Sequence, residues 1–200
     1  MMARKSTEER RAEISQALLR AMAEHGYAKA TISKIAKEAD VTPGLIHYHF
    51  DTKQAILLHL LERLAEQQEA LIAKHLEGAQ APLDKLDAVV DAFLAVGDDA
   101  RPEAVASWVT IATEAIRLPE VKEAFEGALG AFGDKFAEVI AEGVEDGDFN
   151  TGELSEEACV AAILATIQGY FTLAALERAL IPAGSAAPAM QRMVRGLLGV

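Results

Sequence analysis

Cysteine is almost absent from this chain. Cys159 stands alone, so no disulfide can close within it, and a reducing, cytoplasmic setting is expected. Proline is sparse, with 6 in 200 residues, and no stretch alternates apolar and polar residues for long, which argues against a sheet protein. The opening MMARKSTEERR carries charge in place of an apolar stretch, so a secretory signal is not expected. Repeats and low-complexity tracts are missing. So are a phosphate-cradling glycine loop, a nucleophile beside a base in a recognisable context, and metal-ligand spacing. His47 and His49, two apart, would diverge by about 200° on a helix, so they make a poor zinc pair. An enzyme is therefore not expected, nor a metal or cofactor.

What is present is alanine, leucine and charge. Apolar residues make up 51% of the chain and charged ones 25%, as in an ordinary folded protein. The net charge of −12 at first opposes any polyanionic partner. Its distribution reverses that inference. Residues 1–55 hold nine Lys or Arg against seven Asp or Glu, whereas residues 56–200 hold ten against twenty-four. The acid lies in the larger C-terminal part, as in a small nucleic-acid-binding head attached to an acidic body.

The apolar spacing is helical throughout. A first helix over Thr7 to His25 places Ile14, Leu18, Ala21, Met22 and His25 on one face, and Gly26 supplies a left-handed stop. Thr31 caps a second helix with Ile32, Ile35, Ala36 and Ala39 inward. Thr42 caps a short third helix with Pro43 in its first turn. Asp51 is expected to cap a long fourth helix to Leu76, with Gln54 completing a capping box. Further helices are expected over 83–96, 102–117 (Val105, Trp108, Val109, Ala112 and Ile116 on its face), 119–144, 155–180 and 188–198. Residues 158–176 carry no charge, yet Thr166, Gln168, Gly169, Tyr170 and Thr172 interrupt them and no basic flank follows. That segment is expected to be a buried interface helix, pairing with the last helix and their copies in a homodimer, and not a membrane span.

The most informative stretch is TISKIAKEADVTPGLIHYHFDTK, residues 31–53. Helix, tight turn, short polar helix and a capped further helix make a unit that fits the major groove of DNA. With Ile46 inward, a step of 100° per residue brings His49 and Phe50 to its face and sends Gly44, His47 and Tyr48 outward. Thr42, Pro43, Gly44, Leu45, His47 and Tyr48 are then the residues offered to DNA. Gly44 permits close approach, Leu45 suits a thymine methyl, His47 a base edge and Tyr48 a phosphate oxygen. Thr31 and Lys53 flank them at helix starts, where phosphate is favoured. The bland alternatives are a Tyr48 that covers the head and a Lys53 that is merely solvated.

From Ile14 to Leu61 the chain resembles the DNA-binding domain of the TetR family of transcriptional regulators. The resemblance rests on an alanine-rich first helix, Gly26-Tyr27, Thr31-Ile32, Ile35-Ala36, Val41-Thr42-Pro43-Gly44, His47-Tyr48-His49-Phe50 and Lys53. Family members often carry tyrosine where His47 stands, so the phosphate contact usual there passes to Tyr48. Beyond this, Trp108, the loop Gly143 to Phe149 and Gly169-Tyr170 resemble the BetI-like subgroup.

The resemblance implies an all-α protein: a three-helix helix-turn-helix head, residues 1–52, on a helical-bundle body, residues 53–200, for ligand binding and dimerisation. It implies a repressor of double-stranded operator DNA, released by a small-molecule effector. Phe93, Trp108, Phe125, Leu129, Phe132 and Phe136 are candidates to line the effector pocket, with Thr113 and Gln168 as polar members; the same rings read equally as packed core. The competing classes are a helical ligand carrier or enzyme, or a dimeric interaction module, that has lost DNA binding.

Overall fold

The computed structural model describes residues 6–94, 101–176 and 180–200. Among them nine α-helices follow in order: α1 (Thr7–His25), α2 (Ile32–Glu38), α3 (Pro43–His49), α4 (Lys53–Leu76), α5 (Pro82–Leu94), α6 (Pro102–Ala115), α7 (Pro119–Glu145), α8 (Glu156–Leu176) and α9 (Ala186–Leu197). No strand occurs among the described residues. Residues 95–96 and 177–179, expected to be helical, lie outside the described set.

The chain divides into two compact units. One comprises Met1–Leu64 with Thr110–Phe125, the other Ala65–Val109 with Glu126–Val200. The division differs from the expected boundary after residue 52. Its cause is the start of α4, where Ile56, Leu57, Leu60 and Leu61 are all at most 2% exposed. These side chains belong with Ile14, Leu18, Ile35 and Ile46 in the apolar interior of the first unit.

Local chemistry sets the helix ends. Ser6 and Glu9 form a reciprocal capping box at α1. Gly26 ends it at φ 74° and ψ 157°, a positive-φ conformation outside the left-handed helical region expected there. The expected Asp51–Gln54 box at α4 is not formed. The helix starts one residue later than the pattern suggested, so Thr52 Oγ1 accepts from Ala55 N–H and Gln54 donates to Glu120. On α6 the buried positions are Ser107, Trp108, Ile111 and Ala115, and Ile116 is 82% exposed because the helix has already ended. The expected face was therefore offset.

In the second unit α9 packs on α5 and α8. The loop after α7 is tied down twice. Asp148 and Phe149 N–H donate to the Gly143 carbonyl, and Asn150 N–H donates to Leu198 O at 2.8 Å. Phe149, 5% exposed, lies so close to Gly143 that a Cβ there would fall 2.1 Å from its Cδ2. A Cβ on Gly199 would come within 3.0 Å of Asn150 O.

Gly143→Ala should therefore lower stability by about 1–3 kcal/mol, the usual cost of overpacking a filled core. Gly127→Ala, where nothing lies within 4 Å of the new Cβ, should raise it by up to about 1 kcal/mol through helix propensity. Urea or thermal unfolding of the two variants beside the parent chain checks both signs.

Candidate nucleic-acid interface and the ring cluster of the body

The turn between α2 and α3 is closed by backbone geometry. Asp40 takes φ 52°, a conformation that Asp tolerates better than most residues. Its N–H reaches Lys37 O, and the Val41 N–H reaches Ala36 O at 2.9 Å, the paired bonds of a Schellman ending. The Thr42 hydroxyl oxygen then accepts from Leu45 N–H, with Pro43 in the first turn. Ile46 is 0% and Phe50 4% exposed, whereas Tyr48 is 78% exposed. Thr42, Pro43, Gly44 and His47 are also exposed, and Leu45 and His49 are half-buried. The expected division of α3 into an inner and an outer face is the one observed.

The flanking anchors have more specific surroundings. Thr31 is exposed and accepts from Lys34 N–H. Thr31 and Thr42 both cap through oxygen, so each hydroxyl proton remains to be donated, and phosphate is purely an acceptor. The Lys53 ammonium donates to Tyr27 O at 2.5 Å and lies 4.0 Å from the centroid of the Tyr27 ring. Burial lowers its pKa, opposed by Glu114; burial and then Glu114 raise that of Tyr27. Lys53 is thus neither simply solvated nor turned wholly outward.

Two arginines of α1, which the sequence pattern did not single out, reach the helix ends of this unit. Arg11 Nη1 donates to His49 O at 2.8 Å and its guanidinium lies 4.3 Å from the Phe50 ring centroid. Arg20 Nη2 donates to Glu38 O at 2.9 Å. Beyond Phe50 stands His59, 7% exposed, with ring centroids 5.5 Å apart. Its Nε2 lies 3.4 Å from Glu8 Oε1 and its Nδ1 3.8 Å from Glu62 Oε2. Glu8 also meets Arg63 at 3.2 Å. The arginine contacts bridge 38 and 18 positions and leave no periodic signal, which is why spacing alone does not reveal them.

In the second unit four of the predicted rings meet. Phe93 lies edge-on to Phe132 at 5.4 Å and stacks on Phe136 at 5.9 Å, and Trp108 meets Phe132 at 5.6 Å. Phe171 of α8 joins them, 6.5 Å from Phe93, and was not predicted. All five rings are buried. Leu129 and Gln168 are half-buried members of the same unit. Phe125, buried, and Thr113, exposed, belong to the first unit, so the two do not share a compact unit with these rings. On α8 itself burial is confined to Cys159, Ile163, Ile167 and Phe171, one stripe at every fourth residue. The expectation of a helix buried on several sides is not met within one chain: Leu173 is 42% and Leu176 76% exposed.

Residues 14–60 match the family model described as bacterial regulatory proteins of the tetR family. Residues 82–199 match the model for the C-terminal region of BetI-type transcriptional repressors. The chain is 34% identical over 113 residues to the HTH-type transcriptional regulator BetI of Agrobacterium fabrum, covering 56% of this chain and 54% of that one. It is 36% identical over 104 residues to the HTH-type transcriptional regulator HbdR of an Aromatoleum species, covering 52% and 45%. Each match thus spans about half the length of these curated relatives. A solved transcriptional regulator from a Rhodococcus species shares the fold, with a TM-score of 0.79 over 94% of this chain and 96% of that one at 24% identity.

Burial, then Arg11 and Arg63, hold the His59 imidazole below its ordinary pKa, with Glu8 and Glu62 opposing. The unfolded chain therefore binds this proton more readily than the folded one. The stability that follows is fully present above the unfolded value of about 6.5 and is lost as pH falls through the lower folded value. His59→Gln should reduce the fall in urea midpoint between about pH 7.5 and pH 5. Some slope should persist, because burial, Arg11 and Arg10 also lower His49. An acid limb as steep as that of the parent chain would refute this role for His59.

Proposed function

The chain belongs to the TetR family of bacterial regulatory proteins, and we propose that it is a repressor that binds operator DNA and is released by a small-molecule effector. The observation that carries this reading is the division of α3. Ile46 and Phe50 anchor it inward, while Gly44, His47 and Tyr48 face solvent from a helix short enough to enter a major groove. Thr42, Pro43 and Leu45 complete the groove-facing set, and Thr31 and Lys53 supply phosphate contacts at its edges. Lys53 would exchange its bond to Tyr27 O for a phosphate oxygen, and Tyr48 would take the phosphate that His47 cannot.

A homodimer is supported by α8. From residue 158 onward its outer face is uncharged yet exposed, with Leu173 and Leu176 uncovered, and Leu180 and Met193 are exposed further along the chain. A second copy of α8 and α9 would cover such a face. Two recognition helices about 34–36 Å apart would then read the half-sites of a pseudo-palindrome. Phe93, Trp108, Phe132, Phe136, Leu129 and Gln168 are the residues of the second unit around which an effector would insert. Phe125 and Thr113 belong to the first unit and are not part of this set. A coupling of about 1–3 kcal/mol would weaken operator affinity roughly 5–150-fold. A regulator of this kind works in the cytoplasm, with no membrane, and is not an enzyme.

The test is selection of duplexes from a random pool by the full chain, followed by a salt series on the winners. Salt-dependent, sequence-preferring binding is expected; failure to enrich any sequence at low salt would overturn the reading. His47→Ala should relax preference at particular base pairs, worth about 1–3 kcal/mol each. Lys53→Ala should weaken all duplexes alike and reduce the salt slope by about 1. Leu173→Glu should shift the chain to monomer by sedimentation and lose affinity for the palindromic site.

A further inference from the structure

Arg11 belongs to none of the residues assigned to DNA above. We propose that Arg11 is a positioning residue for base reading: it holds the recognition helix in its working rotation without touching DNA. The proposal rests on the operator-binding reading.

The geometry suits an arginine. The last carbonyls of a helix have no partner within it, and His49 O is one of those of α3. Arg11 Nη1 donates to that oxygen at 2.8 Å while the face of the same guanidinium lies over Phe50, 4.3 Å from the ring centroid. A planar guanidinium meets a carbonyl with its edge and a ring with its face from one fixed orientation, which a rotating ammonium does not impose. Both partners are consecutive residues, the last of α3 and the one that closes it. Arg11 therefore holds the end of α3 at two points, the His49 carbonyl and the buried Phe50 ring.

Arg20 is the contrasting case. It donates to Glu38 O at the end of α2 and lies 3.5 Å from the Glu38 carboxylate, but its side chain is 53% exposed. It acts as a tether at the rim, on a helix that does not read bases.

The reason Arg11 affects reading more than binding lies in distances. Side-chain tips stand about 5–6 Å from a helix axis, so a rotation of α3 by about 10° moves His47 and Tyr48 by about 1 Å. Hydrogen bonds to base edges fail over such a shift, while charge attraction to phosphate barely changes.

The experiment uses the full chain, a duplex enriched from a random pool by the parent chain, and a scrambled duplex of equal length. Arg11→Ala should weaken the enriched duplex by about tenfold or more and the scrambled one by less than about twofold, with an unchanged salt slope. Arg11→Lys should recover part of the loss, and Arg20→Ala should stay within about twofold on both duplexes. Arg11→Gln keeps a shorter stem and a neutral donor, so it carries the comparison should Arg11→Ala fail to fold. In Arg11→Gln the His49 imidazole, read by NMR, should titrate at higher pH than in the parent chain, because Arg11 depresses it. Equal losses on both duplexes with a slope lowered by about 1 would make Arg11 a phosphate contact and overturn the proposal. Parent-like affinity in Arg11→Ala, or an unmoved His49 titration, would overturn it as well. A parent chain that enriches no duplex defeats the operator-binding reading itself, an outcome distinguishable because it involves no variant.

Discussion

Burial of Ile46 and Phe50 under α3 is the constraint on which the head depends. Seven residues make too short a helix to be stable alone. What fixes this one is the interior it closes, where Ile14, Leu18, Ile35, Ile56 and Leu57 are all fully buried. Burying an isoleucine or phenylalanine side chain contributes about 1.5–3 kcal/mol. A change of one residue in the rotation of α3 would turn these two side chains by about 100° and expose them. The outer face follows from the inner one: with Ile46 and Phe50 buried, Gly44, His47 and Tyr48 have no other direction to take. The polar surface is a consequence of the apolar anchor.

The charges of the head obey the same logic. Several of its cations serve the protein before any partner. Arg11 and Arg20 meet carbonyls at the ends of α3 and α2, where helix dipoles favour positive charge, and Lys53 meets Tyr27 O. The near-neutral balance of residues 1–55 therefore overstates the positive charge directed outward. Affinity for a polyanion then relies on position. The cap threonines keep hydroxyl protons to donate, and Lys53 is held by a single carbonyl and a ring, contacts that the proposed phosphate would replace. Such a surface suits binding that is weak on arbitrary sequence and strengthened by base contacts.

Periodic features were legible in the sequence and aperiodic ones were not. The inner and outer sets of α3, the caps Thr31 and Thr42 and the existence of every long helix follow from spacing alone. The start of α4 was displaced by one residue because Asp51 and Thr52 are both good caps, and only the position of Ala55 N–H decides between them. Ile116 fitted the stripe of α6 but falls after its last turn. The arginine contacts bridge 38 and 18 residues, and no local pattern records them. Phe125 was expected among the rings and Thr113 among the polar members from helix order alone, and the compact units divide α6 and α7 between them.

The segment least readable from sequence is α8, and the physical reason is its uniformity. A helix without charge over nineteen residues has no polar face to announce which side is buried. The structure supplies the missing asymmetry. Cys159, Ile163, Ile167 and Phe171 turn inward, and Gly133 of α7 comes so close that a Cβ there would touch Val160 and Leu164 at 3.3 and 3.4 Å. From residue 158 onward the exposed positions of α8 are Ala158, Ala161, Ala162, Ala165, Gly169, Thr172, Leu173, Ala175 and Leu176, all small or aliphatic except the one threonine. A face built for water would carry charge at some of these positions, as the outer faces of α1 and α7 do. Small side chains also let a second helix approach closely, so shape and hydropathy favour the same cover, another helix. Among the described residues nothing covers this face, the strongest internal support for the proposed homodimer.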